Sequence, residues 1–127
     1  MKNSDIDFDV FANQVVMIAE EMICEQYLSS SEGLLNKKKK LYTEDDLKQA
    51  QEIAKNVISQ NKVKNVICKA LKSAKEDIRD FSKIIAAALL TFALSKDILI
   101  PITPIVFATI SVMVFNIGVS TFCDCCQ

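Results

Sequence analysis

Three thiols crowd the end of the sequence in Cys123-Asp124-Cys125-Cys126. Such a cluster suits a soft metal ion, acylation beside a membrane, or disulfide formation; an unspecialised tail fits it equally well. Cys123, Cys125 and Cys126 fall one ligand short of a tetrahedral zinc site, and the chain contains no histidine to supply the fourth. Cys24 and Cys68 are distant in sequence and read as buried, reduced thiols within helices, so no disulfide framework is expected. The lack of histidine also removes the commonest general base and the usual partner of a Ser or Cys nucleophile. No glycine-rich phosphate loop occurs. The expectation is a protein that is not an enzyme and holds no cofactor.

The second chemical feature is a basic stripe formed by Lys69, Lys72, Lys75, Arg79 and Lys83, placed directly before an apolar segment. Anionic lipid headgroups attract such juxtamembrane cations by roughly 1 kcal/mol each. A solvated helix face, offset by Glu76 and Asp77, accounts for the same residues. No aromatic residues interleave with the stripe to stack bases, which argues against nucleic acid as a partner. A third feature lies further on. Thr109, Asn116 and Ser120 recur at helical spacing, beside a small-residue surface that includes Ser111 and Gly118. In a bilayer, small and hydrogen-bonding residues of this kind mark helix–helix contacts. They imply a homo-oligomer or tight packing against a neighbouring helix.

These residues need elements to hold them, and the sequence favours helix throughout. The 127 residues include only two glycines and two prolines, with none between Gly33 and Pro101. No run alternates with period two between turn residues, so the chain is expected to be all-α. Charge is strongly partitioned: residues 1–36 carry a net −6, residues 37–83 a net +6, and residues 84–127 only −1. The first ten residues hold Asp5, Asp7 and Asp9 where a secretory signal has a basic start, so the N-terminal part is expected to be cytosolic.

Periodicity divides residues 1–80 into three amphipathic helices at about 7–27, 43–59 and 62–80. In the first, Phe8, Phe11, Val15, Ile18 and Met22 form one face. Thr43 and Asp46 resemble a capping box, with Asp where Glu or Gln is usual. The third helix meets no obvious stop and is expected to run on into the apolar Ile84–Leu94 stretch. Residues 81–122 then form an apolar helical hairpin, with arms at about 81–95 and 104–122 joined through Ser95-Lys96-Asp97. Thr103-Pro104 fits the N-cap and first position of the second arm. Residues 123–127 are the cysteine tail.

From Ile98 to Phe122, 25 consecutive residues carry no charge, beyond the ~18 that make a transmembrane candidate. A helix that is apolar on every side is either a membrane span or the centre of a protein. The amphipathic helices offer limited area to cover two such arms, so the expectation is a C-terminal hairpin inserted in a bilayer with anionic headgroups. A single crossing by Ile98–Phe122 is the other membrane topology. Function on this reading is that of a small membrane effector or accessory protein that self-associates through its C-terminal helices. A soluble all-α interaction module or adaptor, without membrane or enzymatic activity, is the alternative.

Overall fold

The structure is a computed structural model that describes residues 7–28, 42–73, 77–95 and 101–124. All regular structure among these residues is helical: α1 (Phe8–Leu28), α2 (Glu44–Ile58), α3 (Asn61–Ala70), α4 (Ile78–Leu94), α5 (Pro104–Ile117) and α6 (Val119–Asp124). Ser29–Gly33, the Lys37–Lys40 run, Lys75, the Lys96-Asp97 turn and Cys125-Cys126 lie outside the described residues.

Side chains satisfy orphan amides at the starts of α1, α2 and α4. The Asp7 carboxylate accepts from the Asp9 amide at 3.0 Å. Thr43 and Asp46 close a reciprocal box: Thr43 Oγ1 accepts from the Asp46 amide at 3.0 Å, and Asp46 Oδ2 accepts from the Thr43 amide at 3.3 Å. A cap of this kind contributes about 1 kcal/mol. Thr103 is extended before Pro104, which occupies the first turn of α5, though the Thr103 side chain makes no capping bond.

Two boundaries depart from the periodicity. The third amphipathic helix does not run from 62 into the apolar stretch. It stops at Ala70, tightens into a 3-10 turn over Leu71–Ser73, and a separate α4 starts at Ile78. Asp77 makes that start, with its Oδ1 accepting from the Asp80 amide at 2.8 Å. The first arm of the hairpin therefore opens with Arg79, Asp80 and Lys83. The last helix is not continuous over 104–122 either. Gly118 takes φ +95°, donates to the Val114 carbonyl at 2.9 Å and separates α5 from α6. A positive φ of that size is readily accessible only to glycine.

Packing centres on α5. Helices α1, α2 and α4 all pack against it, α3 packs on α4, and α6 lies against α5 and α3. Every residue from Val106 to Val112 is buried, and so is Val114. Seven consecutive residues make about two full turns, so this stretch of α5 is covered on all sides. Phe107 meets Phe11 edge-to-face at 5.0 Å between ring centroids, and Phe115 meets Phe81 at 5.3 Å. One core cluster runs from Phe11 to Phe122, joining residues of the amphipathic helices to those of the apolar hairpin.

In the structure α5 is covered by its neighbours in the bundle. Buried small residues occur on all three helices packed on it: Ala12 and Ala19 on α1, Ala50 and Ala54 on α2, and Ala86 on α4. No described helix is long and apolar enough to cross a membrane. At 14 residues, α5 spans about 21 Å, against a hydrocarbon core of about 30 Å.

Candidate functional site

Four places on the bundle carry groups able to recognise something. The first is the junction of α3 and α6. Cys68, near the end of α3, is bonded to Cys123 of α6, with Cα atoms 5.9 Å apart across a sequence separation of 55. Both cysteines sit at the margin of the core. Beside them the Lys64 ammonium lies 5.4 Å from the centroid of the buried Phe122 ring. This overturns the reading of Cys68 as a reduced thiol. Cys24 is also not buried; it is an exposed free thiol on α1. Nothing in the sequence pairs residues 68 and 123, because only the folded path of α4 and α5 returns the chain to α3.

The second is a groove of about 410 Å³ between the end of α1, α2 and α5. Its polar feature is Tyr42, whose hydroxyl donates to Glu25 Oε1 at 2.9 Å. Burial, then the hydrogen bond to Glu25 and the negative charges of Glu25 and Glu21, raise the Tyr42 phenol well above its ordinary value of 10.0. Tyr42 stands just before the N-cap Thr43, and Leu47 stands at the fourth helical position. An apolar pair at these positions is the hydrophobic-staple pattern, the one sequence signal that places Tyr42 inside.

The phenol's shift has a pH consequence. Its folded pKa lies above the unfolded one, so its contribution is complete below about pH 10 and is lost as pH rises past that point. The Tyr42→Phe variant is expected to be about 1 kcal/mol less stable at neutral pH, where the hydrogen bond is lost. Above about pH 10 the gap should close by roughly 1 kcal/mol per pH unit. Urea unfolding of both proteins across that range measures it; a gap independent of pH would rule out the buried phenol as its source.

The third place is the outer surface of α1. Val10 and Met17 are 53% and 52% exposed. They are seven residues apart and so share a face, with Asn13 and Gln14 exposed between them. Phe8 belongs by spacing to the core face, yet it too is exposed. It borders a second groove with Asp9, Asn13, Asp80 and Lys83.

The fourth is the basic stripe. Lys69, Lys72, Arg79 and Lys83 are all exposed. They are distributed over the end of α3, the 3-10 turn and the start of α4, in place of one helical row. Arg79 is further engaged with Glu20 of α1 at 3.4 Å, an exposed pair of little energetic weight.

The polar residues of the last helix are also divided. Thr109 and Ser111 are buried, and their hydroxyls donate to the Ile105 and Phe107 carbonyls of their own helix at 2.7 and 2.9 Å. Asn116 and Ser120 are exposed, and Gly118 lies at the break between α5 and α6. Thr109 and Ser111 are thus separated from Asn116 and Ser120. Thr109 and Ser111 belong to the interior, where bonding one turn back satisfies a hydroxyl without a partner helix.

The fold and these sites define a small all-α bundle organised around one enclosed apolar helix. Compared with protein-family models, with curated proteins and with solved structures, the chain matches none.

Proposed function

We propose that the chain is a soluble all-α interaction module that binds a protein partner along the outer face of α1 and performs no catalysis. The observation that carries this reading is the enclosure of α5. The most apolar segment of the chain has its surface occupied by α1, α2 and α4, so it needs no lipid to cover it. Among the described residues, what remains exposed and apolar is concentrated on α1, where Phe8, Val10 and Met17 make three of the five large exposed hydrophobic residues. Methionine at such a position adapts to different partner shapes. The flanking Asp9, Glu20 and Glu21 give the strip a negative rim, which suits a partner segment carrying Lys or Arg.

The membrane effector remains the second reading, favoured by the uncharged run Ile98–Phe122 and the exposed cations at the α3–α4 junction. It requires α5 to leave the bundle. Flotation with anionic vesicles, combined with crosslinking in cells from a photoreactive residue at position 17, separates the two. The module reading expects the protein to stay at the bottom of the gradient and to form a discrete protein adduct that Val10→Asp abolishes. Flotation with the vesicles, or adducts to lipid alone, would favour the membrane reading.

A further inference from the structure

We propose that the chain assembles head to tail in solution, the acidic outer stripe of α1 on one copy docking against the basic outer stripe of α3 on the next. The inference rests on the reading of α1 as a docking face and names its occupant, a second copy of this chain. Charge complementarity carries it. Helix α1 holds Asp9, Glu20, Glu21 and Glu25 and neither Lys nor Arg. Helix α3 and the 3-10 turn after it hold Lys62, Lys64, Lys69 and Lys72 and neither Asp nor Glu. One element is purely acidic and the other purely basic, within a chain whose formal net charge is only −1.

The two stripes also match in spacing. On α1 the exposed Val10, Asn13 and Met17 are followed by the half-buried Glu20, at steps of three, four and three residues. Lys62, Asn65, Lys69 and Lys72 are exposed at the same steps. Residues so spaced share one side of a helix. Asp9 and Glu20 are separated by about 16 Å along the axis of α1. Lys62 and Lys72 are separated by about the same length, allowing for the steeper rise of the 3-10 turn. Lysines at the two ends of one stripe therefore meet carboxylates at the two ends of the other. Between them the apolar lysine stems lie over Val10 and Met17.

Each stripe faces away from its own core. Val63 and Ile67 turn the other side of α3 inward, as Phe11, Val15 and Ile18 do for α1. Arg79 holds Glu20 at 3.4 Å, an exposed pair that an incoming lysine replaces at little cost. Because the two stripes differ, the contact is heterologous, and each copy keeps one unused stripe for a further copy. Pairing like with like sets acid on acid or lysine on lysine, which repel. A contact this small and this charged is weak and salt-dependent.

Sedimentation velocity of the full chain over a concentration series tests the proposal. At about 0.1 M salt the mean mass should rise with concentration past that of a dimer. At about 1 M, where the screening length falls to about 3 Å, it should return to that of the monomer. Salt does not undo a disulfide, so this reversal also sets aside crosslinking through the exposed Cys24. Glu20→Lys with Glu21→Lys, or Lys62→Glu with Lys69→Glu, should each weaken association at least ~10-fold, as attractions become repulsions.

An equimolar mixture of the two double variants should regain it, because each supplies the charge that the other's altered stripe needs. That recovery also excludes misfolding as the cause of the loss. Lys48→Glu with Lys55→Glu makes the same charge change at exposed positions of α2 and should leave association as in the wild type. An equal loss there would assign the effect to net charge and overturn the proposal. So would a wild type that stays monomeric at low salt, or a dimer that the mixture does not restore. Adducts from position 17 to a different protein, with the chain itself monomeric, would sink this inference alone. Absence of any protein adduct would sink the α1 reading beneath it as well.

Discussion

Replacing Phe107 by alanine is expected to destabilise the protein by about 3–5 kcal/mol, the range for emptying a fully buried aromatic site. Phe107 has no exposed surface, and its ring stands edge-to-face against Phe11, with an interplanar angle of 88°. Edge-to-face pairs add ~0.5–1.5 kcal/mol beyond the area they bury, and the ring sits where α1 crosses the most enclosed part of α5. A domain of this size has only about 5–15 kcal/mol in total, so the variant should be near or past its limit at body temperature. The control lies on the same helix. Ile117 is 44% exposed, and Ile117→Ala should stay within about 0.5 kcal/mol, as surface changes usually do. Urea unfolding in aqueous buffer without detergent measures both. Similar small effects at the two positions would mean that α5 is not enclosed in water.

That contrast marks what the sequence could and could not convey about the fold. Period-3.6 patterns locate α1 and α2 because one side of each is wet, and the Thr43–Asp46 pair and Thr103-Pro104 announce their helix starts through local chemistry. The break before α4 left no such mark. It contains neither glycine nor proline, and Asp77 reads as one more acid on a charged face until its carboxylate is seen accepting from Asp80. Gly118 was visible as a small residue, but small residues suit both a helix contact and a helix end, and only its positive φ decides between them.

The environment of α5 is a different kind of limit. Hydropathy records that a segment avoids water and is silent on what replaces the water. In α5 the replacement is the sides of three other helices. Those helices were legible as elements with an apolar side, but not as a sheath around α5. The candidate sites follow the same division. The tail thiols and the basic residues stand out by composition. The pairing of Tyr42 with Glu25 and of Cys68 with Cys123 arises from long-range packing, which no local pattern encodes.

The bridge itself yields the second large effect. Cross-linking residues 55 apart removes loop entropy from the unfolded chain worth about 4 kcal/mol on the chain-entropy scale. Reduction should lower the unfolding free energy by about that amount. It should also raise the denaturant dependence, because an unbridged unfolded chain exposes more surface. The two signatures together separate loss of the bridge from simple loss of packing, which lowers stability without steepening the transition. Cys123→Ser should behave as the reduced wild type does. Phe122 is buried beside the bridge, and the α1–α2–α4 sheath around α5 does not depend on either sulfur. The reduced protein is therefore expected to remain helical and cooperatively folded at low denaturant by far-UV circular dichroism, with its midpoint displaced. Equal midpoints for oxidised and reduced protein would show that the α3–α6 link does not constrain the chain in solution.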